Sequence, residues 1–276
     1  MNRRSVVKEM FSPAHGVGLA AFVFSGGLLF FQSGIAALPL GVFVLSCLLA
    51  PFFPRVGFFL PVISRGKASG KAVALTFDDG PDPDVILLLL NLLQRYKAPA
   101  TFFVIGKKAE GNPELVREIV SRGHTIGNHS YHHDPLLMLR SSARLTEEID
   151  RTQQLLARFG IRPLVFRPPV GITNPRLPVV LRRLYLDCVT FSCRPCDFGN
   201  RRIAGLAKTV LRRIDPGAIL LLHDVTPPGV GFIHIWLRQV EQIIVELKSR
   251  GYIIVPLSEL IGRPVMEQFS VCPPET

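Results

Sequence analysis

An apolar run closes on two neighbouring carboxylates at Thr76-Phe77-Asp78-Asp79-Gly80-Pro81, and glycine and proline enforce a turn directly afterwards. Adjacent carboxylates repel, so a cation or a strong base has to neutralise at least one of them. The plainer alternative is an Asp-Gly turn before a helix, with Asp82 and Asp84 left to cap that helix. Further on, Asn128-His129-Ser130-Tyr131-His132-His133-Asp134 crowds histidines into one short stretch. On a helical turn, residues four apart share a face, so His129 and His133 reach one ion while His132 turns aside. Two imidazoles and one carboxylate leave coordination positions open for water and substrate, as catalytic metal sites require. A His-rich loop without a ligand is the competing reading.

Two more polar clusters follow. In Phe166-Arg167-Pro168-Pro169-Val170-Gly171 a pair of prolines stiffens the backbone after an arginine. That suits a guanidinium held against a carboxylate and an amide N–H fixed for an oxyanion, although a plain rigid loop has the same composition. Leu220-Leu221-Leu222-His223-Asp224 delivers one histidine from a buried run, a position more often structural than catalytic when it stands alone. Cys193 and Cys196 have redox-motif spacing but no second pair, and are read as ordinary cysteines.

Short β-branched or apolar runs alternate with longer segments of helical period, the pattern of a parallel sheet wrapped by helices. Strands are expected at 72–77, 101–105, 125–127, 164–166, 187–191, 218–222 and 252–256, and helices at 84–96, 113–122, 143–159, 175–185, 203–214 and 234–250. All four clusters then sit at or beyond the carboxyl ends of strands, where α/β folds place reacting groups. This alternation points to an incomplete or distorted α/β barrel, with an open doubly wound sheet as the alternative.

Ahead of it, residues 15–53 carry no acidic or basic residue. Gln32-Ser33-Gly34 divides them into apolar runs at 16–31 and 35–53, read as a transmembrane helical hairpin. A single span with a re-entrant run and a cleaved signal peptide are the alternatives. Arg3, Arg4 and Lys8 on one flank and Arg55, Arg65, Lys67 and Lys71 on the other favour keeping both flanks in the cytoplasm. The division is therefore a membrane segment at 1–53, a basic Pro/Gly-rich linker at 54–70 resting on the membrane, a catalytic domain at 71–262 and an unstructured tail at 263–276. The net charge of +11 is scattered, without an aromatic-interleaved basic run. It therefore argues for an anionic leaflet and against nucleic acid. Five cysteines, an odd number, indicate no disulfide framework.

The four clusters, in this order, resemble those of the polysaccharide deacetylase family, whose members share the chitooligosaccharide deacetylase domain, over about 71–261. The resemblance implies a distorted barrel of seven or eight βα units. It also implies Asp78 as general base, Asp79 with His129 and His133 as ligands of one divalent metal ion, zinc by default, and Arg167 orienting Asp78. Val170 N–H falls at the oxyanion position, Asp197 matches the acid that tunes the last histidine, His223 matches the general acid and Leu221 a wall of the acyl pocket. Phe198 stands where the family usually has tryptophan and Val170 where an aromatic is common, so sugar stacking at the rim differs.

The expected activity is removal of an N-acetyl or N-formyl group from an amino sugar of a membrane-associated or lipid-linked glycan. The expected site is the bacterial inner membrane, with the domain on the cytoplasmic face and the periplasmic face as the alternative. A non-haem iron oxygenase shares the two-His-one-carboxylate set, and a non-catalytic glycan-binding module is the third reading.

Overall fold

The computed structural model describes residues 12–31, 34–67 and 70–270. Arg3, Arg4, Lys8, the Gln32-Ser33 divide and the end of the chain from 271 lie outside the described residues. The strands are β1 (Ala72–Asp78), β2 (Ala100–Val104), β3 (Thr125–Asn128), β4 (Ile161–Pro163), β5 (Val165–Phe166), β6 (Asp187–Cys188), β7 (Ile219–His223), β8 (Ile253–Ile254) and β9 (Met266–Gln268). The helices are α1 (Pro13–Phe30), α2 (Leu38–Leu49), α3 (Ile86–Arg95), α4 (Gly106–Gly111), α5 (Pro113–Ser121), α6 (Ser142–Ala157), α7 (Leu177–Arg183), α8 (Leu206–Arg213), α9 (Phe232–Ser249) and α10 (Leu257–Ile261).

One parallel sheet runs in the order β6-β5-β3-β2-β1-β7, with β8 paired to the start of β1. It curls into a half-barrel clothed in helices, and isolated bridges Ile63–Val189, Arg65–Ala218 and Cys193–Leu220 cross the seam between its two edges.

The side-chain period of two along β1 divides the core. Val73, Leu75 and Phe77 point outward to a layer with α3, α8 and α9 that includes Leu89, Leu90, Val210, Trp236 and Ile243. Ala74 points inward to Phe103, Val165, Val189 and Ile219, and Leu257 and Leu260 of α10 belong to the same cluster. Thr76 and Asp78 share the inward face with Ala74, so the interior is apolar near the start of β1 and polar near its end. Parallel strands covered on both faces read as unbroken apolar runs, and for that reason they were legible in the sequence.

Three expectations need correction. The second apolar run does not make one long helix. Pro39 stands at the start of α2 and Pro51 stops it, leaving 12 residues, or about 18 Å, followed by a 3₁₀ turn over Ala50–Phe52. Of the described helices only α1 has the length and hydropathy to cross a bilayer. The basic segment after these helices lies on the domain: Phe59 and Leu60 are buried beside Leu137, Met138 and Leu177, and Ile63 and Arg65 pair with sheet residues. Finally, Met266–Gln268, expected in an unstructured tail, forms β9 and pairs antiparallel with β4, with Val265 buried behind it. Three-residue strands carry no periodicity for sequence reading to detect.

Trp236 is the one tryptophan of the chain and is completely buried. Trp236→Ala is expected to cost about 3–5 kcal/mol, read as a lowered urea midpoint by circular dichroism; a midpoint within error of the parent would show that this layer does not hold the sheet.

Candidate active site

At the end of β1 the inward period places Asp78 inside the curl, where Arg167, entering after β5, is buried completely. Its NH1 donates to Asp78 Oδ1 at 2.5 Å and to Thr76 Oγ1 at 2.8 Å. Nε and NH2 donate to the carbonyls of Val189 and Thr190, and the guanidinium lies 3.9 Å over the Phe103 ring. Every polar edge of this cation is thereby engaged, which makes so deep a charge tolerable. Asp78, with little exposure of its own, is held in one orientation.

Asp79, next in the chain, turns to the cleft with φ +76. Its Oδ1 is buried and satisfied by no hydrogen bond, yet Nε2 of His133 lies 3.1 Å away and Nε2 of His129 3.4 Å away. His129 Nδ1 is 2.7 Å from the Arg167 carbonyl. A carbonyl only accepts, so Nδ1 carries a proton and Nε2 is the nitrogen that faces Asp79, where it would give its lone pair to a bound cation. The three donor atoms lie within 4.8 Å of one another. Bonds of roughly 2.0–2.2 Å to a common ion put neighbouring ligand atoms about 3–3.5 Å apart, so the residues present fit a divalent cation. Burial works against an ionised Asp79, but His129 and the positive charge available to His133 and His223 outweigh it and hold the carboxyl below the usual range.

Both histidines sit in a loop, not on the helical turn expected from their spacing. After β3, Ser130 (φ +66) and His133 (φ +56) take left-handed conformations that fold the chain back on itself. Asn128 Oδ1 accepts from Ser130 N–H and Ser130 Oγ from His133 N–H, which pins the turn. His132 does turn aside, and its Nδ1 lies 2.7 Å from buried Glu148 on α6. Asp84 caps nothing: α3 starts without a side-chain cap, and Asp82 instead accepts from the Asp84 and Thr226 amides.

Across the cleft, His223 at the end of β7 pairs its Nδ1 with Asp197 Oδ2 at 3.0 Å. Burial alone would strip the proton from His223. The hydrogen bond and charge of Asp197, with the charges of Asp79 and Asp78, overcome that and raise its pKa to about 9. Leu221 and Val170 line the same cleft of about 740 Å³ between these groups. Val170 holds φ +52 in a tight turn after Pro169, a conformation that β-branched residues avoid. All nine residues singled out by sequence are thus gathered around one cleft: eight line it directly, and buried Arg167 stands behind Asp78.

Sequence reasoning passed over Asp224. It is wholly buried, accepts from Gly80 N–H at 3.0 Å and leaves Oδ2 without a partner. Burial pushes its carboxyl well above the usual range. A Cβ on Gly80 would lie 1.8 Å from that Oδ2, so glycine lets the Asp78-Asp79 turn dock against Asp224. The signal was a second polar residue following His223, as Asp79 follows Asp78. Thr76 and Asn200, whose Nδ2 donates to the His223 and Val225 carbonyls, were also missed, because only packing reveals their partners.

A family model described as polysaccharide deacetylase matches residues 65–189. The chain is similar to a peptidoglycan-N-acetylglucosamine deacetylase of Bacillus cereus, 36% identical over 69% of this chain and 88% of that protein. It is also similar to a chitooligosaccharide deacetylase of Bradyrhizobium, 35% identical over 73% and 98% respectively. A crystal structure of a peptidoglycan N-acetylglucosamine deacetylase superimposes with a TM-score of 0.67 at 30% identity, covering 74% of this chain and 94% of that one. The chain belongs to the polysaccharide deacetylase family, hydrolases that cleave the amide C–N bond of N-acetylated amino sugars.

Proposed function

We propose that this protein is a metal-dependent N-deacylase that removes an acetyl or formyl group from an amino sugar of a membrane-associated glycan. One observation carries the reading: three donor atoms converge between a carboxylate clamped by Arg167 and an imidazole held by Asp197. A cation bound by Asp79, His129 and His133 would polarise the amide carbonyl and acidify water. The chain's own groups carry the remaining work. Asp78, aimed by Arg167, accepts the proton of the attacking water. The Val170 turn offers a backbone N–H to the developing oxyanion, a contact worth about 3 kcal/mol for one donor in other enzymes. His223, protonated through Asp197, delivers the proton that lets the amine leave. Leu221 walls the space for a small acyl group, and Phe198, exposed at the rim, offers a ring face to the sugar. A two-His-one-carboxylate oxygenase needs neither the Arg167–Asp78 clamp nor the Asp197–His223 pair.

Membrane attachment is part of this proposal. Leu19, Phe22, Phe24, Leu29 and Phe30 of α1 and Val44, Leu45 and Leu48 of α2 are exposed, an apolar surface too large to leave in water. Ala14 N–H at the start of α1 donates to the Phe58 carbonyl after α2, which favours both ends of the apolar pair on one side and, with the basic flanks, the cytoplasmic face of a bacterial inner membrane; a single crossing by α1 would send the domain to the periplasmic face, the alternative. A reporter fused to the C-terminus tests this: activity of a reporter that works only outside the cytoplasm would reverse the assignment.

Chelation should abolish amine release from an N-acetyl amino-sugar substrate, with recovery on adding zinc or cobalt; turnover that persists after chelation rules out the metal mechanism. Asp79→Asn and His133→Ala should each lose at least about 100-fold in metal affinity by elemental analysis of dialysed protein, more than losing an outer partner costs. His132→Ala should keep its metal.

Asp78→Asn should lower kcat by about 10²–10⁴-fold with metal content unchanged. His223 must be protonated to act, so kcat/KM should fall as pH rises through its pKa, which lies at or below about 9 because a bound cation offsets the Asp79 share. Asp197→Asn should move this alkaline limb down by more than one pH unit; an unmoved limb assigns the proton elsewhere.

A further inference from the structure

The cleft contains more positive charge than the amide chemistry consumes. Its three carboxylates are all engaged: Asp78 with Arg167, Asp79 with the paired histidines and Asp197 with His223. Two arginines also line it, Arg194 and Arg201, both exposed, and neither forms an ion pair among the described residues. Arg194 sits 5.5 Å over the Phe191 ring, so one face of its guanidinium is covered while its N–H edge stays free.

The loop bearing them is fixed from the membrane side. Arg55, just after the apolar helices, donates from Nε and NH2 to the carbonyls of Phe191 and Ser192. Pro51, within the 3₁₀ turn after α2, accepts from the amide of Thr173, beyond the Val170 turn. Two cleft-lining loops are therefore tied to residues 51–55, and the end of the apolar helices abuts the cleft rim.

We propose that Arg194 and Arg201 are specificity determinants that bind an oxyanion carried by the substrate beside its amino sugar, namely the phosphate ester that joins the sugar to a lipid at the membrane surface. This rests on the N-deacylase reading and names its substrate class. A planar guanidinium with a free edge matches phosphate by paired N–H···O contacts. Attachment through a lipid phosphate would hold that anion at headgroup depth, where the tie to residues 51–55 puts the rim.

The test uses the full-length, metal-loaded protein in detergent micelles. Substrates are N-acetylglucosamine bearing a 1-phosphate alkyl ester, the uncharged 1-O-alkyl glycoside of equal chain length, and a glycoside bearing a carboxylate on the sugar. The phosphate ester should be preferred over the uncharged glycoside by at least about 30-fold in kcat/KM, mostly through KM. Arg194→Gln and Arg201→Gln should each cut this preference about tenfold, and the double variant should bring it near one. Arg194→Lys should recover part of it.

Preference for the carboxylate substrate would relocate the anion from the lipid linkage to the sugar and overturn the phosphate assignment. A preference unchanged in the double variant would overturn the role of both arginines. Calorimetric binding of the already deacylated glucosamine 1-phosphate ester separates this inference from the parent one. Binding that the double variant loses upholds the anion site even if no amide is hydrolysed; binding that it retains sinks the site even in an active enzyme.

Discussion

Arg167 is the residue on which the site depends, and it acts through both its ends. The side chain grips Asp78 and Thr76 inside the curled sheet, while the carbonyl accepts a hydrogen bond from His129 Nδ1–H and so directs Nε2 at Asp79. One residue thereby orients Asp78 and fixes a proton on Nδ1 of His129. A guanidinium this deep is tolerable only because the Val189 and Thr190 carbonyls and the Phe103 face complete its surroundings. Removing one partner of such a buried pair typically costs about 3–5 kcal/mol, since it strands the other charge without solvent. Stability and chemistry are for that reason hard to separate at this position.

Around this pair the backbone is bent into conformations that most residues avoid. Asp79, Ser130, His133, Val170, Cys196, Phe198 and Asn200 all have positive φ, none is glycine, and all lie in the loops that build the cleft. Such residues cost of order 1–3 kcal/mol each and persist only where the surroundings over-determine them. Here the determinants are visible: Asp224 beneath the first loop, Asn128 and Ser130 within the second, and Asn200 tied to the end of β7. The parallel sheet and its helices supply the rigid frame against which those bends are held.

The apolar helices are joined to this frame by more than a flexible tether. Burial of Phe59 and Leu60, the Arg55 contacts and the bridges of Ile63 and Arg65 make the segment after α2 part of the domain surface. A basic, proline-rich composition suggested a linker because composition records charge and stiffness but not the groove that receives them.

The groups of the cleft were legible in the sequence because they are rare polar residue types at strand ends: Asp78-Asp79, the His129–His133 stretch, Arg167 and His223 each follow or close an apolar run whose period can be read locally. The strands were legible for the same reason, since burial on both faces leaves an unbroken apolar signature. Tertiary structure alone decided how these groups meet. Spacing suggested a helical turn for the histidines, whereas positive φ at Ser130 and His133 folds the stretch back; Asn128 and Ser130 pin that turn locally, but the Arg167 carbonyl that orients His129 is distant and no local pattern encodes it. It likewise decided that Asp224 is buried beneath Gly80, that Met266–Gln268 pairs with β4, and that Pro39 and Pro51 bound a helix whose apolar run is longer. Residue type and period are properties of a segment, but which segments lie against each other is set by packing of the whole chain.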